Sequence, residues 1–348
     1  LENQPLKVLF IPVSSPEGMG EYMRSLLVAD ALQEKRANAE IAFILNERAP
    51  YTAHCPYTVF GSKGSATKDS KAVEQALKEF QPDVVIFDAS GRAKQFKLAK
   101  RLGAKVVFIS QHKKKRARGL KLNRLPYIDH HFVVQPSFCL PPLSLVARLK
   151  LRIFPAARPT HIDAVYNEPD IAKTQQWLID HNLNDKPFVL LSAGSGGHHI
   201  NGLYATELFN DYALQLSQAL KLHCIVVIGP NYPYEAPENS AAITYVRALQ
   251  NDTFVGLLKL AELVVISAGD TLVQSAAMQV PSLCQAIAKD QYRRLQQFQS
   301  EGLTLAVEPK KIVIQATKVM TLFKQQGVSS QPPLKNGLST ILEALMSN

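Results

Sequence analysis

At 348 residues, 46% of them hydrophobic and 20% charged, the chain has the length for two cores and the composition of an ordinary soluble globular protein. No apolar run approaches the ~20 residues that span a bilayer, which argues against an integral membrane protein and makes a cytoplasmic one, at most peripheral at the inner face of the cell membrane, the expectation. The net charge of +10 is uneven: residues 1–165 carry 26 Lys and Arg against 14 Asp and Glu, and residues 166–348 carry 13 against 15, so the first half suits an anionic partner while the second must hold its ligand with fixed local groups.

In chain order, apolar runs alternate with longer amphipathic stretches. LKVLFIPV (6–13) predicts a strand and YMRSLLVADALQEKR (22–36) a helix; AEIAFIL (39–45) is the next strand. SKAVEQALKEFQ (70–81) is a helix leading into strand DVVIFDA (83–89), and AKQFKLAKRLG (93–103) a helix with a glycine stop before strands AKVVFIS (104–110) and HHFVV (130–134). Continuous apolar strands separated by single helices imply a parallel sheet covered on both faces. After a Pro-rich, basic-apolar stretch (139–160) the pattern restarts with strands PFVLLSAG (187–194), HCIVVIG (223–229), AELVVISAG (261–269) and PSLCQAI (281–287). Helices GLYATELFNDYALQLSQAL (202–220) and DTLVQSAAMQ (270–279) lie between them. This predicts a first domain over 1–160, a second over 161–330, and a segment over 331–348 whose helix LSTILEALM packs back on the first. Cys55, Cys139, Cys224 and Cys284 are scattered without CxxC or Cys/His ligand spacing, so free thiols and no metal site are expected.

In open parallel sheets, ligands bind beyond the carboxyl ends of the strands, and four loops lie there. In SSPEGMGEYMR (14–24), Gly18 and Gly20 permit a tight turn and Glu21 falls in the first helical turn, where the dipole favours a carboxylate able to accept a proton; an ordinary helix start has the same pattern. In SAGSGGHHING (192–202), Gly194, Ser195, Gly196 and Gly197 expose backbone N–H groups just before the predicted helix, a ready anion site. It lacks a Walker lysine and GxGxxG spacing. In ISAGDTLVQSAAMQVPSL (266–283), Ser267, Ala268 and Gly269 precede a helix capped by Asp270 or Thr271, with Gln274 one turn in; a capped core helix would look alike. In AIAKDQYRRLQQF (286–298), Asp290 and Gln291 follow a strand, as hydroxyl-gripping residues or as plain surface polar ones.

Together GMGEYMRSLLVADAL, LSAGSGG, AELVVISAGDTLVQSAAMQVPSL, AKDQYRRLQQFQSEGL and KNGLSTILEAL resemble the GT-B class of nucleotide-sugar enzymes. The nearest branch is that of the MurG-type N-acetylglucosaminyltransferases and the UDP-sugar hydrolases of pseudaminic acid synthesis. The resemblance implies an α/β fold of two Rossmann-like doubly wound domains facing a central cleft, the first for acceptor and the second for donor. It assigns Ser267, Ala268, Gly269, Asp270 and Thr271 to the nucleotide diphosphate and Gly194 to Gly197 to a second phosphate-facing turn. Phe254, in NDTFVG, falls in the segment that frames the base, and Asp290 and Gln291 fall on the donor sugar. Gln274 stands where the family has a Glu on the ribose, which makes that contact neutral and leaves a UDP-sugar weakly favoured. The family's first loop reads Gly-x-Gly-His; Glu21 replaces the His, either as a general base or as the mark of a different acceptor or of lost activity.

The implied activity is an inverting, metal-independent transfer of a sugar from a nucleotide-diphosphate donor to a cell-surface glycan or lipid-linked acceptor. No cofactor is obligatory, because helix N-termini and N–H groups meet the leaving charge. A nucleotide-sugar hydrolase or epimerase, or a non-catalytic nucleotide-sugar binder, fits the same scaffold. The run HKKKRARGLKLNR (112–124), with Lys113, Lys114, Lys115, Arg116 and Arg118, is either a solvated loop or a dock for an anionic acceptor or an anionic membrane, with LSLVARLKLRIF (143–154) as its apolar complement. It lacks the interleaved aromatics of nucleic-acid sites, so no nucleic-acid partner is expected.

Overall fold

The computed structural model describes residues 4–13, 19–326 and 334–347. The chain divides into two compact units, Leu1–Val165 with Asn336–Asn348, and Tyr166–Lys335. Gly18 and the predicted 330/331 boundary lie outside the described residues.

The first unit runs β1 (Lys7–Pro12), α1 (Gly20–Lys35), β2 (Glu40–Asn46), β3 (Thr58–Ser62), α2 (Ser70–Phe80), β4 (Val84–Asp88), α3 (Ala93–Arg101), β5 (Lys105–Ser110), α4 (Lys113–Gly119), β6 (His130–Val133), α5 (Leu145–Ile153) and β7 (Pro159–His161). Its seven strands form one parallel sheet, ordered β3-β2-β1-β4-β5-β6-β7. Alternation along β1 explains the layering: Val8 and Phe10 enter one core with Val28 and Leu32 of α1, while Leu9 and Ile11 enter another with Leu77 of α2 and Phe96 of α3. A strand buried on both sides can afford no polar face, which is why its sequence is continuously apolar.

The second unit runs α6 (Ile171–Asp180), β8 (Phe188–Ser192), β9 (His199–Ile200), β10 (Leu203–Tyr204), α7 (Ala205–Leu220), β11 (His223–Val227), β12 (Ile243–Val246), α8 (Asn251–Leu260), β13 (Leu263–Ser267), α9 (Asp270–Ala277), β14 (Ser282–Gln285), α10 (Gln291–Ser300), β15 (Leu305–Ala306) and α11 (Ile312–Gln326). Six strands form a second parallel sheet, β12-β11-β8-β13-β14-β15. The chain then re-enters the first unit as α12 (Leu338–Met346), where Ile341, Leu342 and Leu345 join the core beneath α1. The α/β class with two parallel-sheet domains is as the sequence predicts.

Three local differences have physical causes. The basic run is not a loop: its first half is α4, where Lys, Arg and Ala are good helix formers. The helix expected from Gly202 starts at Ala205, because Asn201 and Gly202 both take positive φ (50° and 88°) and turn β9 back on antiparallel β10; Asn-Gly is the strongest short hairpin signal. The short strands β3, β7, β12 and β15 extend the sheets beyond the predicted ones, all four as edges.

Candidate functional site

Each sheet has a switch point, where the chain leaves a central strand in one direction and later returns on its other side; loops diverge there and open a crevice. In the first unit it lies between β1 and β4, in the second between β8 and β13.

At the first switch point, α1 follows β1 and places Glu21, Arg24 and Ser25 one turn apart. Asp88 ends β4, opposite Pro12 of β1. Arg24 grips it with two parallel bonds, Nε to Oδ2 at 2.9 Å and Nη2 to Oδ1 at 2.8 Å, with Ser25 Oγ at 3.5 Å from Oδ2. Both side chains of the pair are sealed from solvent, at 2% and 0% exposure. The backbone past Asp88 is strained: Ala89 is left-handed at φ 56°, a region that non-glycine residues enter at a cost. Its carbonyl accepts from Lys115 Nζ of α4 at 3.1 Å. Ser90 Oγ closes the turn on the Ile11 carbonyl at 2.6 Å.

Glu21 is half-buried beside this clamp. Burial raises its pKa, Arg24 opposes that, Asp88 adds to it, and Lys115 opposes it again. Lys115 is in turn lowered by burial, with Glu21 restoring part of its charge and Arg118 repelling it. Glu21 is therefore a carboxyl that takes up a proton more readily than a free one while two cations keep its ionised form accessible. Gly20 is exposed as the first residue of α1. The basic run has no common fate. Arg116 is buried and donates to the Pro141 carbonyl, Lys115 faces Glu21, and Lys113, Lys114 and Arg118 are exposed.

At the second switch point, Ile266 of β13 lies opposite Ser192 of β8, so the two small-residue turns lie side by side. A Cβ on Gly194 would stand 3.4 Å from Ser267 Oγ. Gly194 and Gly196 take φ 84° and 85°; Gly196 and Gly197 are buried, and Gly194 and Ser195 partly so. The hairpin β9–β10 separates this turn from α7, so an anion there would meet turn N–H groups, of which that of Gly194 already donates to Ser192 Oγ at 3.2 Å, and not the α7 N-terminus. On the other side Ser267, Ala268 and Gly269 lead into α9, which opens with Asp270 and Thr271. Gln274 is buried at 7% exposure.

Two residues missed by sequence reasoning hold this region. Gly229, at φ 96°, lies so close behind the turn that a Cβ would stand 2.3 Å from the Ser195 carbonyl carbon; its signal was a glycine directly after an apolar strand. Arg294 of α10 is buried, donates Nη1 to the Ala268 carbonyl at 3.0 Å and stands 3.6 Å from Asp270. It offsets the negative charge that Asp270 brings to the turn, and nothing in RRLQQF distinguishes it from its neighbour Arg293. Gln291 is buried, its Oε1 accepting from Ile287 N at 3.0 Å, and its Nε2 stands 3.7 Å from where a Gly269 Cβ would lie. Asp290 is exposed at the start of α10, and Phe254 is half-buried in α8. Among the described residues no three His, Cys, Asp or Glu side chains gather as a metal site, and no helix is long and apolar enough to cross a membrane.

Compared with solved structures, the chain is similar over its length to MurG of Acinetobacter baumannii, at 14% identity and a TM-score of 0.59, covering 98% of this chain and 99% of that one. It is similar to the glycotransferase of kitacinnamycin at 15% identity and 0.59, covering 98% and 95%. A third likeness is to the UDP-GlcNAc 2-epimerase from Methanocaldococcus jannaschii, at 15% and 0.56, covering 98% and 99%. No protein-family model matches the chain, and no curated protein matches it in sequence. The chain has the GT-B fold.

Proposed function

We propose that the protein transfers a sugar from a nucleotide-diphosphate donor, held by the second unit, to a hydroxyl of a glycan or lipid-linked acceptor. The observation that carries this reading is the juxtaposition of the Gly194–Gly197 and Ser267–Thr271 turns at the β8/β13 switch point, with Gly229 and Arg294 behind them. Two adjacent turns of backbone N–H groups suit a diphosphate better than a single anion. The leaving charge falls on fixed N–H dipoles and the α9 N-terminus, so the transfer asks for no metal. Glu21 accepts the acceptor's proton as the glycosidic bond forms, and direct displacement inverts the anomeric centre.

The alternative is hydrolysis or epimerisation of the same donor, favoured by the likeness to an epimerase. Thermal-shift titration with UDP, GDP and CDP and their sugars tests donor binding; no shift at millimolar ligand sinks both readings. Incubating each sugar nucleotide without acceptor then separates them: a transferase leaves it intact, while a hydrolase releases free sugar and an epimerase changes the sugar. Activity that survives EDTA supports the metal-free chemistry, and activity that chelation abolishes refutes it.

A further inference from the structure

Helix α5 carries an apolar face that no part of the described chain covers. Leu145, Val146, Leu149 and Ile153 are 76, 63, 60 and 69% exposed, four of the fifteen large apolar side chains exposed among the described residues, on a helix of nine. At about 100° per residue they fill an arc of roughly 100°. Ala147 and Leu151, on the opposite side, pack into the first unit's core. Arg148 and Arg152 border the arc on one side and Lys150 on the other, so cationic ends on flexible stems flank it along both edges. The helix is well built: Ser144 accepts from Ala147 N at 3.2 Å, and Arg148 Nε donates to the Leu143 carbonyl at 3.1 Å.

The stretch of chain that carries the helix is nearly one-signed in charge. Residues 89–162 hold 17 Lys and Arg and a single acid, Asp129, which Lys100 already pairs at 3.0 Å. Arg116 ties α4 to Pro141, in the segment that leads into α5, so exposed Lys113, Lys114 and Arg118 extend the same positive field. A second copy of this face would set like charges against each other, whereas a bilayer of anionic lipids offers both an apolar interior and negative headgroups.

We propose that α5 is an interfacial helix that docks the first unit on an anionic lipid surface, its Leu145, Val146, Leu149 and Ile153 face at the acyl boundary and its basic residues on headgroup phosphates. The proposal is independent of the transfer reading. The test is co-flotation of the full chain with vesicles of phosphatidylcholine alone or mixed with phosphatidylglycerol. Binding is expected to the mixed vesicles only and to weaken with salt. Leu149→Ser with Ile153→Ser should lower it at least about tenfold, and Arg148→Gln about fivefold. Leu149 and Ile153 are exposed, so the Ser pair should leave the melting temperature where it is. Vesicle binding that the Ser pair leaves unchanged, or no binding by the wild-type chain, overturns the proposal. So does a wild-type dimer that the Ser pair dissolves while neither protein binds vesicles, which would give the face to a second copy.

Discussion

The Arg24–Asp88 pair spans the first unit's switch point, and its replacement gives a sharp test of what holds that site. Arg24→Met keeps most of the side-chain volume but removes two charge-assisted bonds at 2.8 and 2.9 Å, leaving a fully buried carboxylate without its guanidinium. Removing one partner of a buried pair costs about 3–5 kcal/mol. For a unit of this size, at about 2–4 °C per kcal/mol, that is a fall of about 6–20 °C in melting temperature. Arg24→Met with Asp88→Leu takes both charges out and should recover most of the loss, because a well-packed apolar pair is often as stable as the ions it replaces. Urea unfolding followed by far-UV circular dichroism measures the cost. Trp177, the only Trp of the chain, lies in α6 of the second unit, so the circular dichroism transition should move more than its fluorescence transition. A single-variant cost below about 1 kcal/mol, the size of an exposed ion pair, or a double variant as unstable as the sum of its parts, would refute the clamp.

Glu21→Gln should lower transfer by about 10²–10⁴-fold, the span of general-base catalysis. On the proposed role of Glu21 as a base that works ionised, the acidic limb of the wild-type chain should lie above the ordinary carboxylate range, because burial raises the Glu21 pKa. The same raised pKa makes the ionised form costly to the fold as pH rises through it, so Glu21→Gln should be the more heat-stable protein at neutral pH; equal or lower stability would contradict this. Arg294→Met removes a buried bond to Ala268 and the partner of Asp270, and calorimetry should show nucleoside-diphosphate affinity falling about ten- to hundredfold. His131 is buried against Ser110 Oγ at 3.0 Å, and burial brings its pKa to about 3. Its contribution is complete above the unfolded value of about 6.5 and is lost as pH falls, reaching about 3 kcal/mol by about pH 4. His131→Gln should flatten the acid limb of stability between those pH values, and an unchanged slope would count against a neutral buried ring.

What could be read beforehand follows from where the information sits. β4 and β13 have every residue buried, so their sequences had to be apolar throughout, and that run is visible without any partner. β3 and β15 are mostly partly buried or exposed, and no such constraint marks them. Glu21 was legible because its position after a strand is local. Its electrostatics were not, since they depend on Asp88, 64 residues beyond Arg24, and on Lys115 of a third element. Gly229 and Arg294 escaped for the same reason: each matters through a backbone atom of another loop, and composition carries no record of that atom.

The basic run shows how one sequence signal divides once it is wound on a helix. Five cations between Lys113 and Arg118 look equivalent in a line, and a solvated loop would keep them so. As α4, seven residues long, the segment faces one flank to the sheet. Arg116 therefore enters the interior, where it can hold the Pro141 carbonyl, and Lys115 reaches the Ala89 carbonyl and the field of Glu21 and Asp88. Lys113, Lys114 and Arg118 are left outside. Burying a charge demands a partner, so the inward pair is committed to structure and to the tuning of Glu21. Anionic ligands and surfaces are left to the outward three, joined by the basic borders of α5. On the proposed docking, the excess charge of the first half serves two separable ends, and a substitution reports on one or the other according to which flank of α4 it falls on.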